Sequence, residues 1–208
     1  MLLKFLVPTV KISYTKLLIR LGYLHAKTKL TYKIACLIKE NLNLAQKLIV
    51  PKVTVVFENV MMNQEFVSFK DGYEIVSSNV ANLLKNSFKA YGVGITIGGA
   101  LEKRRDEFFK KKATFNALIM DAAGSVAAEE TMMLVNMQIK FYEEKLGNAL
   151  TKRYSPGYGD WILDDNRNFL NWIDAESIGI DLNESCHMKP EKSISALIGV
   201  IKNIKDIK

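Results

Sequence analysis

In the hexapeptide RYSPGY, residues 153–158, a guanidinium, a hydroxyl and two phenol rings surround a Pro-Gly pair. Proline fixes φ and glycine tolerates φ > 0, so the pair is a turn by backbone chemistry alone, and such turns expose backbone donors and acceptors. A surface turn needs neither an arginine nor two tyrosines. A pocket for a ligand with a carboxylate and a flat base uses both, because a guanidinium meets a carboxylate through two parallel hydrogen bonds in a geometry that lysine cannot match.

A second candidate is Glu129-Glu130, which closes the small-residue run MDAAGSVAAEE, residues 120–130. If the apolar side of a helix here packs inward, one of the two carboxylates points inward with it and needs a cation, since an unpaired buried charge is too costly to keep. His187 stands in the polar stretch ESCHMKP, residues 184–190, and reads as a loop residue. Gly92, Gly94, Gly98 and Gly99 have the wrong spacing for a dinucleotide loop, and the first two fall inside a strand pattern. The sequence holds no Walker A motif, no GxSxG elbow and no HExxH helix.

These residues must be positioned by elements that periodicity defines. Residues 31–50 carry apolar side chains at three-and-four spacing and end at Pro51, which predicts an amphipathic helix. Residues 52–58, KVTVVFE, are β-branched and read as a strand, with 65–69 alternating as its partner. A short helix is predicted over 80–88, a strand over 91–97 and a helix over 100–112. A long apolar helix follows over 114–146, another helix over 161–175, and a buried strand over 193–201. The strands are separated by unequal stretches and lack a regular βα beat, so the fold class expected is α+β in a single domain.

Composition sets the outer limits. With 208 residues and 49% hydrophobic content, the chain can bury one sizeable core, and 25% charged residues argue against disorder. Cys36 and Cys186 are the only cysteines, which argues against a disulfide framework or a Cys/His metal site and suits a reduced compartment. The opening MLLKFLVPTV is cut by Lys4 and Pro8, so it reads as neither a membrane span nor a signal peptide, and a cytoplasmic protein without a membrane partner is expected. The net charge is +7, densest at Lys103, Arg104, Arg105 and Lys110 to Lys112, but Glu102, Asp106 and Glu107 interrupt it. That pattern reads as a solvated helix face, with Phe108-Phe109 as its buried stripe and no nucleic-acid groove; a basic face also speeds encounter with an acidic protein.

Five segments then appear in a familiar order: LIRLGY (18–23), TIGGALE (96–102), LIMDAAGSVAAEE (118–130), RYSPGYGDW (153–161) and NESCHMKPEKSISALIG (183–199). Over residues 15–201 the chain resembles the reactivation domain of cobalamin-dependent methionine synthase, in a stand-alone form. The resemblance implies a bent, largely antiparallel sheet flanked by helices. It implies binding of S-adenosylmethionine (AdoMet) and support for reductive remethylation of cob(II)alamin held by a separate methionine synthase lacking this domain, with an electron from a flavodoxin-like donor.

The family's RxxxGY motif contacts AdoMet and maps onto Arg153, Gly157 and Tyr158, with Ser155 and Pro156 between them; a family glutamate on the preceding helix maps best onto Glu129. On this reading Arg153 takes the methionine carboxylate, Gly157 lets the main chain approach the ligand, Tyr158 flanks it, and Glu129 takes the ammonium or the ribose hydroxyls. No residue is nominated as acid, base or nucleophile, so the chain would be an accessory component that acts by positioning. Two departures stand beside the match. A tyrosine that the family places after its last strand has no counterpart following Tyr158, and an acidic ligand contact near the start of the family's domain has none either. The DxHxxG signature of corrinoid-binding modules is also missing, so cobalamin would come only with the partner. The alternatives are a non-catalytic docking module for a corrinoid protein and an AdoMet-dependent methyltransferase with another substrate.

Overall fold

Caps and breakers divide the chain much as the residue types dictate. The computed structural model describes residues 9–23, 28–63, 66–70 and 72–202; most of the opening apolar run, His25 and Glu65 lie outside them. Ser13 caps α1 (Tyr14–Arg20), its hydroxyl accepting from the Lys16 N–H. Thr31 does the same for α2 (Tyr32–Leu48), which stops before Pro51. Then come β1 (Lys52–Met62), β2 (Val67–Phe69), β3 (Glu74–Ile75) and α3 (Ser78–Leu84), followed by β4 (Ser87–Thr96), α4 (Ala100–Lys110) and α5 (Thr114–Lys145). The last third holds β5 (Asn148–Leu150), α6 (Asn166–Trp172), the two-residue strands β6 (Asp181–Leu182) and β7 (Met188–Lys189), and β8 (Ser193–Lys202).

Six strands form one sheet in the order β3-β2-β1-β4-β8-β5, with every neighbouring pair antiparallel, and β6 and β7 pair separately. The α+β class is therefore correct. Two sequence-based boundaries and one burial assignment need correction. The helix expected over 80–88 ends at Leu84, because Ser87 already pairs with Ile201 across β4 and β8. The helix expected over 161–175 is α-helical only from Asn166 to Trp172, with 3₁₀ turns at Leu163–Asp165 and Ala175–Ile178. Phe109 is 51% exposed, so only Phe108 of that pair packs on the core.

The sheet carries a core on each face, and strand alternation assigns residues to them. Tyr91, Val93 and Ile95 of β4, with Ala196, Ile198 and Val200 of β8, pack under α1, α2, α4 and α5. Ala90 and Leu197 face the opposite core, built by Val80, Leu84, Trp161, Phe169 and Ile173. On that second face a Cβ at Gly92 would lie 2.4 Å from the Trp172 ring, and one at Gly94 would lie 2.9 Å from Ile173. These strand glycines are thus packing spacers that let α6 lie against the sheet. The small residues Ala122, Ala123, Gly124, Ala127 and Ala128 are buried along α5, the helix of 32 residues that spans the first face. No helix among the described residues is long and apolar enough to cross a membrane.

The far end of α5 is tied to the sheet through one buried carboxylate. Glu143, whose side chain is fully buried, accepts from Lys89 Nζ at 2.6 Å, from Asn148 Nδ2 at 2.7 Å and from the Tyr91 hydroxyl. Burial by itself would raise its pKa, but these three donors outweigh it and hold the carboxyl below its usual range. Burial, with the same carboxylate beside it, pushes the Tyr91 hydroxyl well above its usual value. Removing one partner of a buried pair leaves an uncompensated charge, so Lys89→Ala is expected to destabilise the fold by about 3 kcal/mol. In thermal melts that corresponds to a Tm lower by roughly 6–12 °C. A loss within 1 °C of the unmodified protein would show that the pair is dispensable.

Candidate functional site

The position of RYSPGY follows from the hydrogen-bonding edge of β8. β5 pairs with β8 only from Lys202 to Val200, which leaves the backbone groups of Gly199, Leu197 and Ser195 facing outward on that side. The chain after β5 covers them one by one. Thr151 N–H donates to the Gly199 carbonyl at 2.9 Å, and Gly199 N–H donates to Thr151 Oγ1 at 2.8 Å. Tyr154 and Leu197 exchange both backbone hydrogen bonds, at 3.0 and 2.7 Å. The Ser155 hydroxyl donates to the Ser195 carbonyl at 2.6 Å.

In this extended register adjacent side chains alternate between faces. Tyr154 packs in the second core, its ring stacked on Trp161 at 6.3 Å, so Arg153 and Ser155 emerge on the α5 side. There they meet Glu129. Arg153, Ser155, Tyr158 and Glu129 line a groove of about 190 Å³, together with Tyr154, Ile194 and Ala196. Arg153 Nη2 stands 3.4 Å from Glu129 Oε2, and both side chains are partly exposed. Tyr158 is 67% exposed and forms an open flank.

The structure separates the two neighbouring glutamates. Glu130 is the buried one and pairs with Lys16 of α1 at 2.7 Å, whereas Glu129 faces the groove. Pro156 and Gly157 do not line the cavity. Pro156 is buried behind it, and Gly157 has φ +89° with an added Cβ 3.1 Å from Leu163, so glycine is required there by the turn. His187 is exposed in the β6–β7 turn, away from the groove.

The turn is clamped from its other end. Asp160 accepts from the Ser77 hydroxyl at 2.5 Å and from the Ser78 N–H at 2.7 Å at the start of α3, and Ser77 in turn caps Val80 N–H. Hydrogen bonding from Ser77, then from the backbone of Asn79 and Ser78, holds the Asp160 carboxyl below its usual range. Gly159 has φ +56°, and a Cβ there would collide with Asn79 and the Tyr154 hydroxyl at 2.3 Å. The Tyr154 hydroxyl also donates to the Tyr158 carbonyl at 3.0 Å, closing the loop on itself.

The groove continues into a second lobe of about 170 Å³ that shares Glu129 and Ile194 with the first and adds Arg20, Ser125, Lys192 and Ser193. Sequence reading did not single out these residues. Their only signal was membership in the segments 18–23, 118–130 and 183–199 that carry the resemblance, which gave them no individual role. Ser125 and Lys192 resemble a nucleophile and base, being 3.0 Å apart, but Lys192 Nζ is ion-paired with Asp121 at 2.8 Å and donates to the serine. The Ser125 proton goes to the Asp121 carbonyl, so no base is present to take it. Arg105 locks the outer wall, reaching Glu191 at 2.6 Å and Asp121 at 3.3 Å. Arg105 holds the Glu191 carboxyl below its usual range; burial opposes the same shift in Asp121, but the hydrogen bonds from Lys192 and Arg105 prevail. Among the described residues no group of three or more His, Cys, Asp or Glu is placed to hold a metal ion.

No family model matches the sequence, and no curated protein matches it. The fold is similar to that of a solved structure described as the MetH reactivation domain bound to AdoHcy, with a TM-score of 0.64 and 12% identity. The superposition covers 92% of this chain and 74% of the other.

The Asp160 clamp generates a pH dependence whose sign is fixed. A carboxyl with a lowered pKa in the folded state contributes stability that is present above its ordinary value of 3.8 and is lost as pH falls through the lowered value. Urea midpoints measured from pH 6 down to pH ~2.5 are therefore expected to fall more steeply in the unmodified protein than in Asp160→Asn. Parallel curves would remove Asp160 as a folding-linked acid.

Proposed function

We propose that the chain binds AdoMet in the Arg153 groove and supports reductive remethylation of cob(II)alamin on a separate cobalamin-dependent methionine synthase. The observation that carries this reading is the facing pair of Arg153 and Glu129 across a groove, in a fold similar to a domain solved with AdoHcy bound. An α-amino acid is a zwitterion, and a guanidinium opposite a carboxylate offers each of its charges a partner. The residues present fit AdoMet: Arg153 for the carboxylate, Glu129 for the ammonium or ribose hydroxyls, and the Tyr158 ring as a flank with a polar tip.

AdoMet supplies a transferable methyl group when bound. What the chain supplies is orientation, because its groove holds no acid, base or nucleophile set up for proton or acyl transfer. Ser155 is fixed by Ser195, and Ser125 by Lys192 and Asp121. Holding a donor in line with an acceptor lowers the barrier through prepaid entropy alone. Methylation of cob(II)alamin also consumes one electron, and a flavodoxin-like donor fits the exposed basic residues Lys103, Lys110, Lys111 and Lys112 of and beyond α4, since opposite charge speeds encounter.

Isothermal titration calorimetry with AdoMet tests the site. A saturable heat is expected, with affinity reduced about tenfold or more in Arg153→Ala, the size of a lost charge-assisted pair. Absence of heat at millimolar AdoMet would favour a docking module without a ligand. Binding followed by methyl transfer to a substrate other than a cob(II)alamin-loaded partner would favour a different methyltransferase.

A further inference from the structure

The second lobe of the groove has an unusual division of charge. Lys192 is committed to Asp121 and Ser125, and its side chain is only 14% exposed. Glu191 is committed to Arg105 through two contacts, at 2.6 and 3.2 Å. The hydroxyls are committed as well, Ser125 donating to the Asp121 carbonyl and Ser193 to the Pro190 carbonyl at 2.7 Å. Arg20, at the end of α1, lines the same lobe and makes no ion pair or side-chain hydrogen bond among the described residues.

The lobe therefore offers apolar surface from Ala128 and Ile194, satisfied polar walls, and one uncommitted planar guanidinium. Two cations and two carboxylates line it, so it presents no net field to attract a second anion. A guanidinium is flat and weakly hydrated, and it stacks on aromatic faces. The chemistry that fits is a neutral, flat heterocycle. Glu129, common to both lobes, faces the middle of a ligand that spans them, where a ribose diol can donate to it.

We infer that Arg20 is a specificity-determining residue that stacks on the purine of a nucleoside-bearing ligand. The ligand then lies with its amino-acid end at Arg153 and its base at Arg20. This rests on the AdoMet reading given above, which sets the carboxylate at Arg153, and it adds the place of the base, which that reading leaves open.

NMR titrations of the full chain with three probes, AdoMet, adenosine and methionine, test it in Arg20→Ala, Arg20→Lys and Arg153→Ala. Arg20 is exposed at a helix end, so its variants are expected to fold, and circular dichroism checks this. Arg20→Ala is expected to weaken AdoMet and adenosine about tenfold and leave methionine unchanged. Arg153→Ala is expected to weaken AdoMet and methionine and leave adenosine unchanged. Arg20→Lys keeps the charge and loses the plane, so it is expected to follow Arg20→Ala.

Three results would overturn the inference while leaving the AdoMet site standing. They are normal AdoMet binding in Arg20→Ala, a loss of methionine affinity in place of adenosine affinity, and full rescue by lysine. If the unmodified protein binds none of the three probes at millimolar concentration, the AdoMet reading itself fails and the inference fails with it.

Discussion

The candidate site depends on the need to close one strand edge. β8 is paired with β4 from Ser193 to Ile201 but only at one end with β5, and a strand that leaves backbone N–H and C=O groups open must have them satisfied in some other way. Residues 151–155 satisfy them in single file, through Thr151, Tyr154 and Ser155. Because that segment is extended, its side chains alternate, and anchoring Tyr154 in one core sends Arg153 toward α5 on the other. The guanidinium is placed by backbone pairing and needs no ion pair of its own to hold it, which leaves its charge available.

The same division recurs across the molecule. Charges that hold structure are multiply paired and largely enclosed: Glu143 with Lys89, Tyr91 and Asn148; Arg105 with Glu191 and Asp121; Lys192 with Asp121 and Ser125. Lys192 and Glu191 form part of the groove wall in this way, whereas Arg153, Glu129 and Arg20, which also line it, have one long partner or none among the described residues. An exposed ion pair such as Arg153–Glu129 contributes about 0–1 kcal/mol, so exchanging Glu129 for a ligand carboxylate costs little. The rigid network behind Lys192 gives the groove a fixed wall against which loosely held groups can exchange partners. Gly124 belongs to that wall, since a Cβ there would press the Lys192 stem at 3.0 Å.

Legibility in the sequence followed the range of the forces involved. α2, α4, α5, β1, β4 and β8 were readable because each has a cap, a breaker or a long periodic run. β5 and the Asp160 clamp were not, because their partners Lys202 and Ser77 lie far away in sequence, and a three-residue strand has no periodicity to detect. Arg153, Ser155, Tyr158 and Glu129 line one groove; the first three share a single turn, and Glu129 was joined to them only by the family resemblance. For Gly157 the positive φ expected of the Pro-Gly turn is present, and the residue does not itself line the groove. Arg20 escaped notice because an arginine at a helix end is ordinary until the fold shows what it faces.

The openness of the groove bears on what such a site can do. A guanidinium–carboxylate contact in water is weak, and its strength grows as the surrounding dielectric falls. With Tyr158 67% exposed and Arg153 reached by solvent, the groove cannot exclude water from a ligand by itself. On the proposed reading, in which a methyl group passes to a second protein, this is the appropriate condition. A ligand enclosed on every side could not present a reacting group to an acceptor held by a second molecule, whereas an open groove leaves one side for the acceptor and lets the partner's own surface displace the remaining water. On that reading the chain would contribute geometry, and the residues that fix it are those that dock 151–161 on β8 and α3: Thr151, Tyr154, Ser155, Gly159 and Asp160.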